Sequence, residues 1–416
     1  MGKFYYAFLS AAVSLLVAQA AAAEENFEFH GYLRAGTGGN SEGGDQVCFK
    51  LPGAGSKYRF GNECEIYSEL ITGYQAFRGN DGAYFDLKTN LAFVVEGEYE
   101  NEPTVHSPAF REVYVEAGNV FGGALEGARF WTGKRFNRRR DVHISDFFFW
   151  DGSGVGGGIE DIDLGFGKLA YAYLRNSNDD LDASGHKLND VNDRAVSRHD
   201  LRIYGIDVNP GGQLTVGGDL RFSDESRDGF EGEDGFMLTL MHTQSELWGG
   251  FNTLALQYGD GSAHTLAANS DDSSKDGRTR RITEQILVEP GSSWSGMGTI
   301  VYEDRKDTGD DGSWISIGGR YKYYLSTYLN LVFEAGYDQF DPDAAGENTR
   351  KLWKATPAIQ LSAGKRFWTR PALRLFATFA NWNDAARDAG LDASTEGVFG
   401  NNTDGWTFGL QAEAWW

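Results

Sequence analysis

The sequence is poor in basic residues, in proline and in long apolar segments. Its 416 residues include 38 lysines and arginines against 60 aspartates and glutamates, a formal net charge of −22, and only 8 prolines. Because the phosphates of nucleic acid repel so acidic a chain, DNA and RNA are not expected as partners. Beyond the amino terminus, no segment approaches the roughly 20 consecutive apolar residues of a transmembrane helix. These shortages exclude nucleic-acid-binding proteins and helical membrane proteins.

Cysteine is almost absent as well. Cys48 and Cys64 are the only two in the chain. In an exported protein an even pair predicts a disulfide that closes a loop. A metal site is not expected, because no further cysteine could complete one, and the sequence indicates no cofactor.

The amino terminus predicts export. Lys3 precedes the apolar run Ala7–Val17, and small residues follow before Glu24. This order is typical of a signal peptide, with a retained membrane anchor as the alternative. We therefore expect residues 1–23 to be removed and residues 24–416 to form a single domain.

Glycine and aromatic residues are abundant, with 55 glycines and 14% aromatic residues. Too many aromatic residues are present for a disordered chain, and many segments alternate with a period of two. In one of them, Leu329, Leu331 and Phe333 alternate with Asn330 and Glu334. Successive side chains of a strand point to opposite faces, so each such segment predicts a strand with one apolar and one polar face. Similar segments are residues 27–35, 85–93, 213–222 and 407–416.

The connections between these segments are of two kinds. Some are tight, such as residues 209–212 and 249–250, and others are long, acidic and polar, such as residues 177–198, 259–279, 304–313 and 383–405. Short turns at one end and long loops at the other are typical of an outer-membrane barrel. The sequence therefore predicts an all-β, antiparallel transmembrane β-barrel, closed because lipid cannot satisfy the backbone of a free edge. A soluble β-sandwich or propeller is the alternative that alternation alone leaves open.

Two groups of side chains fall on the polar faces, which would line the interior of such a barrel. The aromatic members are Tyr32, Tyr67, Phe251 and Trp415, and rings exposed to water can stack on the apolar faces of sugars. The charged members can exchange hydrogen bonds with hydroxyl groups. They are Arg34, Arg59, Glu69, Arg111, Arg139, Asp141 and Asp146. The alternatives are that the rings only fill space and that the charges only order water and ions, as in any porin.

Two long segments resemble the maltoporins of bacterial outer membranes. They are GAGSKYRFGNEC at residues 53–64 and GKRFNRRRDVHISDF at residues 133–147, and shorter matches extend the resemblance from Phe27 to Trp416. The resemblance implies an 18-stranded barrel in outer-membrane lipid that forms homotrimers and passes maltose and maltodextrins by facilitated diffusion. Eighteen strands would leave about 22 residues for each strand and its connection, although 16 strands would also fit this length.

The resemblance also implies roles for individual residues. An aromatic slide would consist of Tyr32, Tyr67, Phe251, Trp368 and Trp415, of which Trp368 comes from the resemblance alone. The seven charged residues named above would form an ionic track, with Arg139, Asp141 and Asp146 in or beside a loop folded into the channel. His143 lies in the same segment, and Cys48 and Cys64 match a disulfide of the first external loop.

Departures from the family pattern leave the preferred sugar open. Phe148 stands where a maltoporin has a tyrosine at the constriction. Tyr99 is the candidate for the aromatic residue that a neighbouring subunit contributes, with ordinary packing in its own loop as the alternative. A porin for another oligosaccharide, such as sucrose, and a general diffusion porin are the alternatives. An enzyme is not expected, because arginines would hold the carboxylates of Asp141 and Asp146 ionised, whereas a glycosidase needs one protonated.

Overall fold

The computed structural model describes residues 26–96, 108–178, 194–224, 232–269, 276–291, 293–391 and 397–416. The predicted signal peptide and Tyr99 lie outside these ranges. Within them, none of the helices is long and apolar enough to cross a membrane.

Twenty strands occur in the described ranges, and eighteen of them form one closed antiparallel barrel. In chain order they are β1 (Phe27–Asn40), β2 (Glu65–Arg78), β3 (Tyr84–Glu96), β4 (Ala109–Gly118), β5 (Arg129–Arg135), β6 (Arg140–Val142), β7 (Phe147–Trp150), β8 (Gly154–Asp163), β9 (Lys168–Asn178), β10 (Arg194–Asn209), β11 (Gly212–Ser223), β12 (Gly235–Leu247), β13 (Gly250–Gly261), β14 (Arg278–Val288), β15 (Trp294–Lys306), β16 (Gly312–Tyr324), β17 (Leu329–Pro342), β18 (Arg350–Ser362), β19 (Ala372–Trp382) and β20 (Asp404–Trp415). The remaining two, β6 and β7, are not part of the barrel wall and pair with each other. Each barrel strand pairs with its neighbours along the chain, and β1 also pairs with β20, so no strand edge is free. The predicted antiparallel barrel of 18 strands is confirmed.

The short helical segments all lie in connections. Gly123–Leu125 and His143–Ser145 are 3₁₀ turns, and Asp384–Ala386 is an α-helical turn that continues as the π-helical turn Arg387–Leu391.

The barrel carries its apolar side chains on the outside. On β17, Leu331 and Phe333 are 43% and 47% exposed, whereas Asn330 and Glu334 are fully buried on the inner face. A soluble β-sandwich buries its apolar faces between two sheets. The alternation therefore belongs to a barrel with lipid outside and a polar interior, and the soluble alternative is wrong.

The connections differ between the two ends of the barrel, as predicted. Short turns of residues 210–211, 248–249 and 325–328 lie at one end, and the long loops of residues 41–64 and 136–153 and the described residues 262–269 lie at the other. Short turns are periplasmic and long loops external in such barrels. Some predicted loops were too wide, since β9 continues to Asn178 and β15 to Lys306. Polar residues at these strand ends keep their backbone pairing, which a composition-based boundary does not detect.

The first external loop, residues 41–64, folds into the barrel interior. Its Phe49 and Phe60 are buried, and a disulfide joins Cys48 to Cys64 with their Cα atoms 6.0 Å apart, which confirms the predicted pairing. Tyr58 approaches the wall closely at Gly336, where an added Cβ atom would come within 1.9 Å of the Tyr58 ring. Because only glycine lacks that atom, the wall can accept the ring there.

Residues 136–153, which we call the inward-folded loop, also lie inside the barrel. They include β6, β7 and the 3₁₀ turn between them. Ile144, Phe149 and Trp150 are at most 1% exposed. The apolar core of the protein is therefore formed where these loops pack against inward-facing side chains of the barrel wall, and it narrows the channel.

Candidate functional site

Eleven of the thirteen residues predicted for the slide, the track and the constriction line one cavity of about 420 Å³ inside the barrel. They are Tyr32, Arg34, Arg59, Tyr67, Glu69, Arg111, Arg139, Asp141, Asp146, Phe148 and Trp415. Glu65 and His143 complete the lining, and we call this space the constriction cavity. Phe251 and Trp368 are the two predicted residues outside it.

Strand register explains why these residues meet. Tyr32 lies opposite Glu69 on β2 and opposite Trp415 on β20. Arg34 in turn lies opposite Tyr67 on β2. Directly opposed residues of an antiparallel pair project to the same face of the sheet. The seam between β1 and β20, together with β2, therefore presents aromatic and charged side chains side by side toward the lumen.

Four of the five predicted slide residues form a row. The ring centroids of Tyr67 and Tyr32 are 6.0 Å apart, and those of Trp415 and Trp368 are 6.5 Å apart. His143 lies edge-on to both indoles, with its centroid 4.9 Å from that of Trp368 and 5.9 Å from that of Trp415. The row thus runs from β2 across the seam to residues 363–371, the connection that carries Trp368.

Phe251 is not part of the ring contacts of this row, although it packs against the same buried apolar cluster as Trp368. It shares the inward face of β13 with the buried residues Thr253 and Gln257, and it follows the turn at Gly249. Its ring packs against the buried apolar cluster near the short-turn end of the barrel. Phe251 is thus a lumenal residue at the periplasmic end of the channel.

Arg59 of the first external loop is the centre of a hydrogen-bonded network. Its Nε donates to Glu63 at 2.7 Å and its Nη2 donates to the Tyr32 hydroxyl at 2.6 Å. The Tyr32 hydroxyl in turn donates to Glu413 at 3.2 Å. Arg34 also donates to Glu63, at 2.7 Å, and its guanidinium lies 5.6 Å from the Tyr67 ring. Such charge-assisted bonds hold the slide tyrosines in fixed positions.

Glu413, Arg370 and Arg374 belong to the same network, and the sequence did not single them out. Arg370 donates to Glu413 at 2.7 Å and lies 4.2 Å above the Trp415 ring, while Arg374 also bonds Glu413. Alternation placed Glu413 on the polar face of β20. Its partners could not be found, because the register between β19 and β20 and the path of residues 363–371 are not encoded locally.

Arginines in and beside the inward-folded loop lie over its phenyl rings. The Arg139 guanidinium lies 3.5 Å from the centroid of Phe136 and 4.2 Å from that of Phe148, and Arg111 lies 5.2 Å from Phe136. A guanidinium is attracted to the face of an aromatic ring. Phe148 is thereby held at the boundary of the cavity with a charged group beside it.

Two titratable groups of this loop have shifted pKa values. Burial raises the pKa of Asp141, and the nearby Asp146 carboxylate raises it further. The arginines therefore do not lower the pKa of Asp141 as expected, because burial outweighs the Arg139 charge. Burial also lowers the pKa of His143 well below its usual range, and the Arg59 charge acts in the same direction.

A buried ion group fixes the first external loop to the barrel wall. Glu334 accepts the backbone N–H of Phe60 at 2.9 Å, and the Lys354 ammonium donates to the Phe60 carbonyl at 2.8 Å. Lys354 and Arg320 each donate to Glu334, at 3.1 Å and 2.8 Å. Since Phe60 follows Arg59, this group positions the Arg59 side chain in the constriction cavity.

Three rings of the row, Tyr32, Tyr67 and Trp415, therefore line the cavity on one side. Guanidinium and carboxylate groups, several of which bond one another, lie around these rings. Rings can stack on an apolar ligand surface, and the paired charges can exchange bonds with ligand hydroxyls. Within the described ranges, no three His, Cys, Asp or Glu side chains are grouped so as to hold a metal ion.

Comparisons with known proteins agree with this architecture. The family model described as LamB porin matches residues 27–416. Among solved structures, OccAB1 of Acinetobacter baumannii superposes with a TM-score of 0.52 at 11% identity, over 94% of this chain and 96% of that chain. The outer membrane protein opdK from Pseudomonas aeruginosa has a TM-score of 0.49 at 12% identity, over 94% and 100% of the two chains. At this identity the likeness to OccAB1 shows the barrel fold alone.

Proposed function

Since the chain belongs to the LamB porin family and is an outer-membrane porin, we propose that it conducts maltose and maltodextrins by facilitated diffusion. In this proposal, residues 1–23 are the signal peptide, residues 24–416 are one barrel domain, and the working unit is a homotrimer. The proposal treats the protein as a channel that performs no chemistry.

The row of Tyr67, Tyr32, Trp415 and Trp368 is the observation that carries the proposal. Each ring is within 6.5 Å of a neighbouring ring of the row or lies opposite one across the seam. A glucosyl unit has an apolar C–H face that stacks on an aromatic ring, and its hydroxyls project from the edge of the sugar ring. A chain of such units can therefore move along the row from one ring to the next.

The charged network around the row supplies the polar contacts. Arg59, Arg34 and Glu413 already have protein partners at 2.6–3.5 Å. A sugar hydroxyl that replaces one of these partners gains little net free energy, because one hydrogen bond is exchanged for another. Many weak contacts allow a sugar to bind and still leave, as conduction requires.

A porin for another oligosaccharide, such as sucrose, is the second candidate, and Phe148 is the observation that favours it. Phe148 lines the constriction cavity where the family pattern has a tyrosine, so this side of the channel has no hydroxyl to offer. A less polar constriction can change which sugar fits best.

Current block in a planar lipid bilayer tests the proposal. Maltose, longer maltodextrins, sucrose and other sugars of matched mass are added separately, and the interruption of the potassium chloride current is measured. We expect block by maltodextrins at lower concentrations than by sugars of equal mass, with affinity rising with chain length. Block ranked by mass alone would indicate a general diffusion porin, and preferential block by sucrose would support the second candidate.

Two further measurements test the remaining parts of the proposal. Amino-terminal sequencing of the protein from purified outer membranes should begin at or beside Glu24, and a start at Met1 would contradict signal cleavage. Chemical cross-linking before denaturation should yield a species of three chains, whereas a single chain at all cross-linker concentrations would contradict the trimer.

A further inference from the structure

A second cavity, of about 440 Å³, lies beside the inward-folded loop and faces the external end of the barrel. Its walls are residues 264–267 of the loop after β13, the external ends of β14 and β15, and the connection between β15 and β16. We call it the vestibule cavity. It shares Asp146 and Phe148 with the constriction cavity. The two cavities therefore adjoin each other, and the side chains of Asp146 and Phe148 lie between them.

The vestibule cavity has a fixed charged wall. Glu303 is buried between two arginines, and it accepts a bond from Arg281 and one from Arg305 at 2.6 Å. Arg305 also donates to Asp310 at 2.8 Å. A guanidinium has five N–H donors, and these two bonds occupy two of those of Arg305. The wall therefore holds its charges in place and keeps donors for a ligand.

A second wall of the cavity, residues 264–267 of the loop after β13, is held in place by two buried arginines. Arg198 donates to the backbone carbonyl of Ala268 at 2.6 Å, and Arg221 donates to those of Ala267 and Asn269, each at 2.7 Å. Asp219 lies between the two and accepts from Arg198 at 3.0 Å. These bonds tie the loop after β13 to the inner wall, so the cavity is preformed.

The lining indicates an uncharged, hydroxyl-rich ligand. Two guanidinium groups, Arg281 and Arg305, face three carboxylates, Asp146, Glu303 and Asp310. An anion would meet an excess of negative charge, whereas hydroxyl groups can both donate to the carboxylates and accept from the guanidinium groups. The volume is in the range of about 300–1,000 Å³ that is usual for small-molecule sites.

We propose that the vestibule cavity is an external saccharide-binding site, which holds a sugar beside the constriction before the sugar enters the aromatic row. The proposal rests on the proposed function, because it assumes that sugar is the molecule that passes. Phe148 provides an aromatic surface common to both cavities, and Arg305 with Asp310 provides the hydrogen-bonding rim on the external side. The site raises the local concentration of sugar at the constriction and thereby the rate of binding from outside.

The test compares Arg305→Gln with Lys306→Gln. Both substitutions remove one positive charge at the external end of β15, but Lys306 lies outside the cavity, where it pairs with Asp343. Maltohexaose is added to one side of a bilayer at a time, and the association and dissociation rates of current block are measured. We expect Arg305→Gln to lower the association rate from the external side roughly five-fold, which corresponds to about 1 kcal/mol. The association rate from the periplasmic side should keep its wild-type value. The rate of exit to the external side should fall together with the external association rate, because entry and exit on that side cross the same barrier.

Each outcome bears on the proposal. Equal external association rates in wild type and both variants, or an equal loss in both variants, would overturn it. A normal potassium chloride conductance of each variant establishes that the barrel has folded. If maltohexaose fails to block even the wild-type channel, the proposed function itself is wrong. Block with normal rates in Arg305→Gln rejects only the vestibule site.

Discussion

Tyr32 and Trp415 lie directly opposite each other across the seam between β1 and β20. The two residues come from opposite ends of the described chain, and the closure of the barrel makes them neighbours. The same seam places Arg34 opposite Glu413. The aromatic row and its charged network are therefore consequences of barrel closure, and the site cannot form in an open sheet.

Replacement of a seam aromatic residue should weaken sugar binding. We expect Trp415→Ala to raise the dissociation constant for maltodextrin about ten-fold, since loss of a stacking surface costs roughly 1.4 kcal/mol. The constant is obtained from the concentration dependence of current block. Trp406→Ala is the matched control, because Trp406 is on the same strand but 46% exposed on the outer face. An unchanged dissociation constant in Trp415→Ala would contradict the role of the row.

A hydroxyl restored at the constriction should strengthen sugar binding. Phe148→Tyr adds one hydrogen-bonding group to the constriction cavity, where Arg139 lies 4.2 Å from the ring. A net hydrogen bond contributes about 1 kcal/mol, so we expect affinity for maltodextrin to rise roughly five-fold. Isothermal calorimetry in detergent measures the change. Phe222→Tyr, on the outer face of β11, should leave affinity unaltered. Weaker binding in Phe148→Tyr would show that the phenyl ring itself is preferred.

Loss of the buried lysine should loosen the first external loop. Lys354→Met removes the donor to the Phe60 carbonyl and one of the two cations that face Glu334. Breaking a buried ion pair from one side typically costs about 3 kcal/mol or more. We therefore expect a lower free energy of unfolding in urea, measured in lipid vesicles, together with weaker sugar block because Arg59 is displaced. Lys351→Met, at an exposed position of the same strand, is the control. Equal unfolding free energies in the two variants would contradict this anchoring role.

Ion selectivity should change with pH through Asp141. Burial raises the pKa of Asp141, so its carboxylate gains a proton before carboxyls with an ordinary pKa near 4 as the pH falls. The folded state then binds this proton more tightly than the unfolded chain does. Stability from this group accordingly grows as the pH falls through its folded pKa and is lost as the pH rises above it. Burial lowers the pKa of His143 well below its usual range, so that its protonation is displaced to lower pH.

Reversal potentials in a potassium chloride gradient, recorded at successive pH values, measure the effect. As the pH falls, we expect the cation preference of the wild-type channel to decline at a higher pH than ordinary carboxyls titrate, and we expect this step to be absent in Asp141→Asn. Asp45→Asn, at an exposed position of the first external loop, should keep the step. A step that persists in Asp141→Asn would assign the titration to another group.

Much of the site was predictable because successive side chains of a strand point to opposite faces, so that every second residue faces the barrel interior. Tyr32, Arg34, Tyr67 and Trp415 were placed on the inner face by alternation alone, and all four line the constriction cavity. Trp368 could not be placed in this way, because it lies in a connection and not in a strand. The resemblance to maltoporins supplied it.

The sequence could not predict the pKa shift of Asp141 or the partners of Glu413, for a different reason. Both depend on which groups become neighbours when loops fold into the lumen. Arg370 reaches Glu413 from the connection after β18, and Phe60 reaches Glu334 from the first external loop. Distances between such residues depend on loop paths, and no local pattern of residues records those paths.

The sequence by itself determined the strands, the face on which each side chain lies, the disulfide pair and the difference between the two ends of the barrel. The strands and their faces follow from interactions within a strand or between lipid and the outer wall, which act at each position separately. The disulfide pair follows from the presence of only two cysteines. Only the tertiary structure decided the seam that joins Tyr32 to Trp415, the burial of the inward-folded loop and the two adjoining cavities. Those features depend on how segments that are distant in sequence pack closely together inside the barrel.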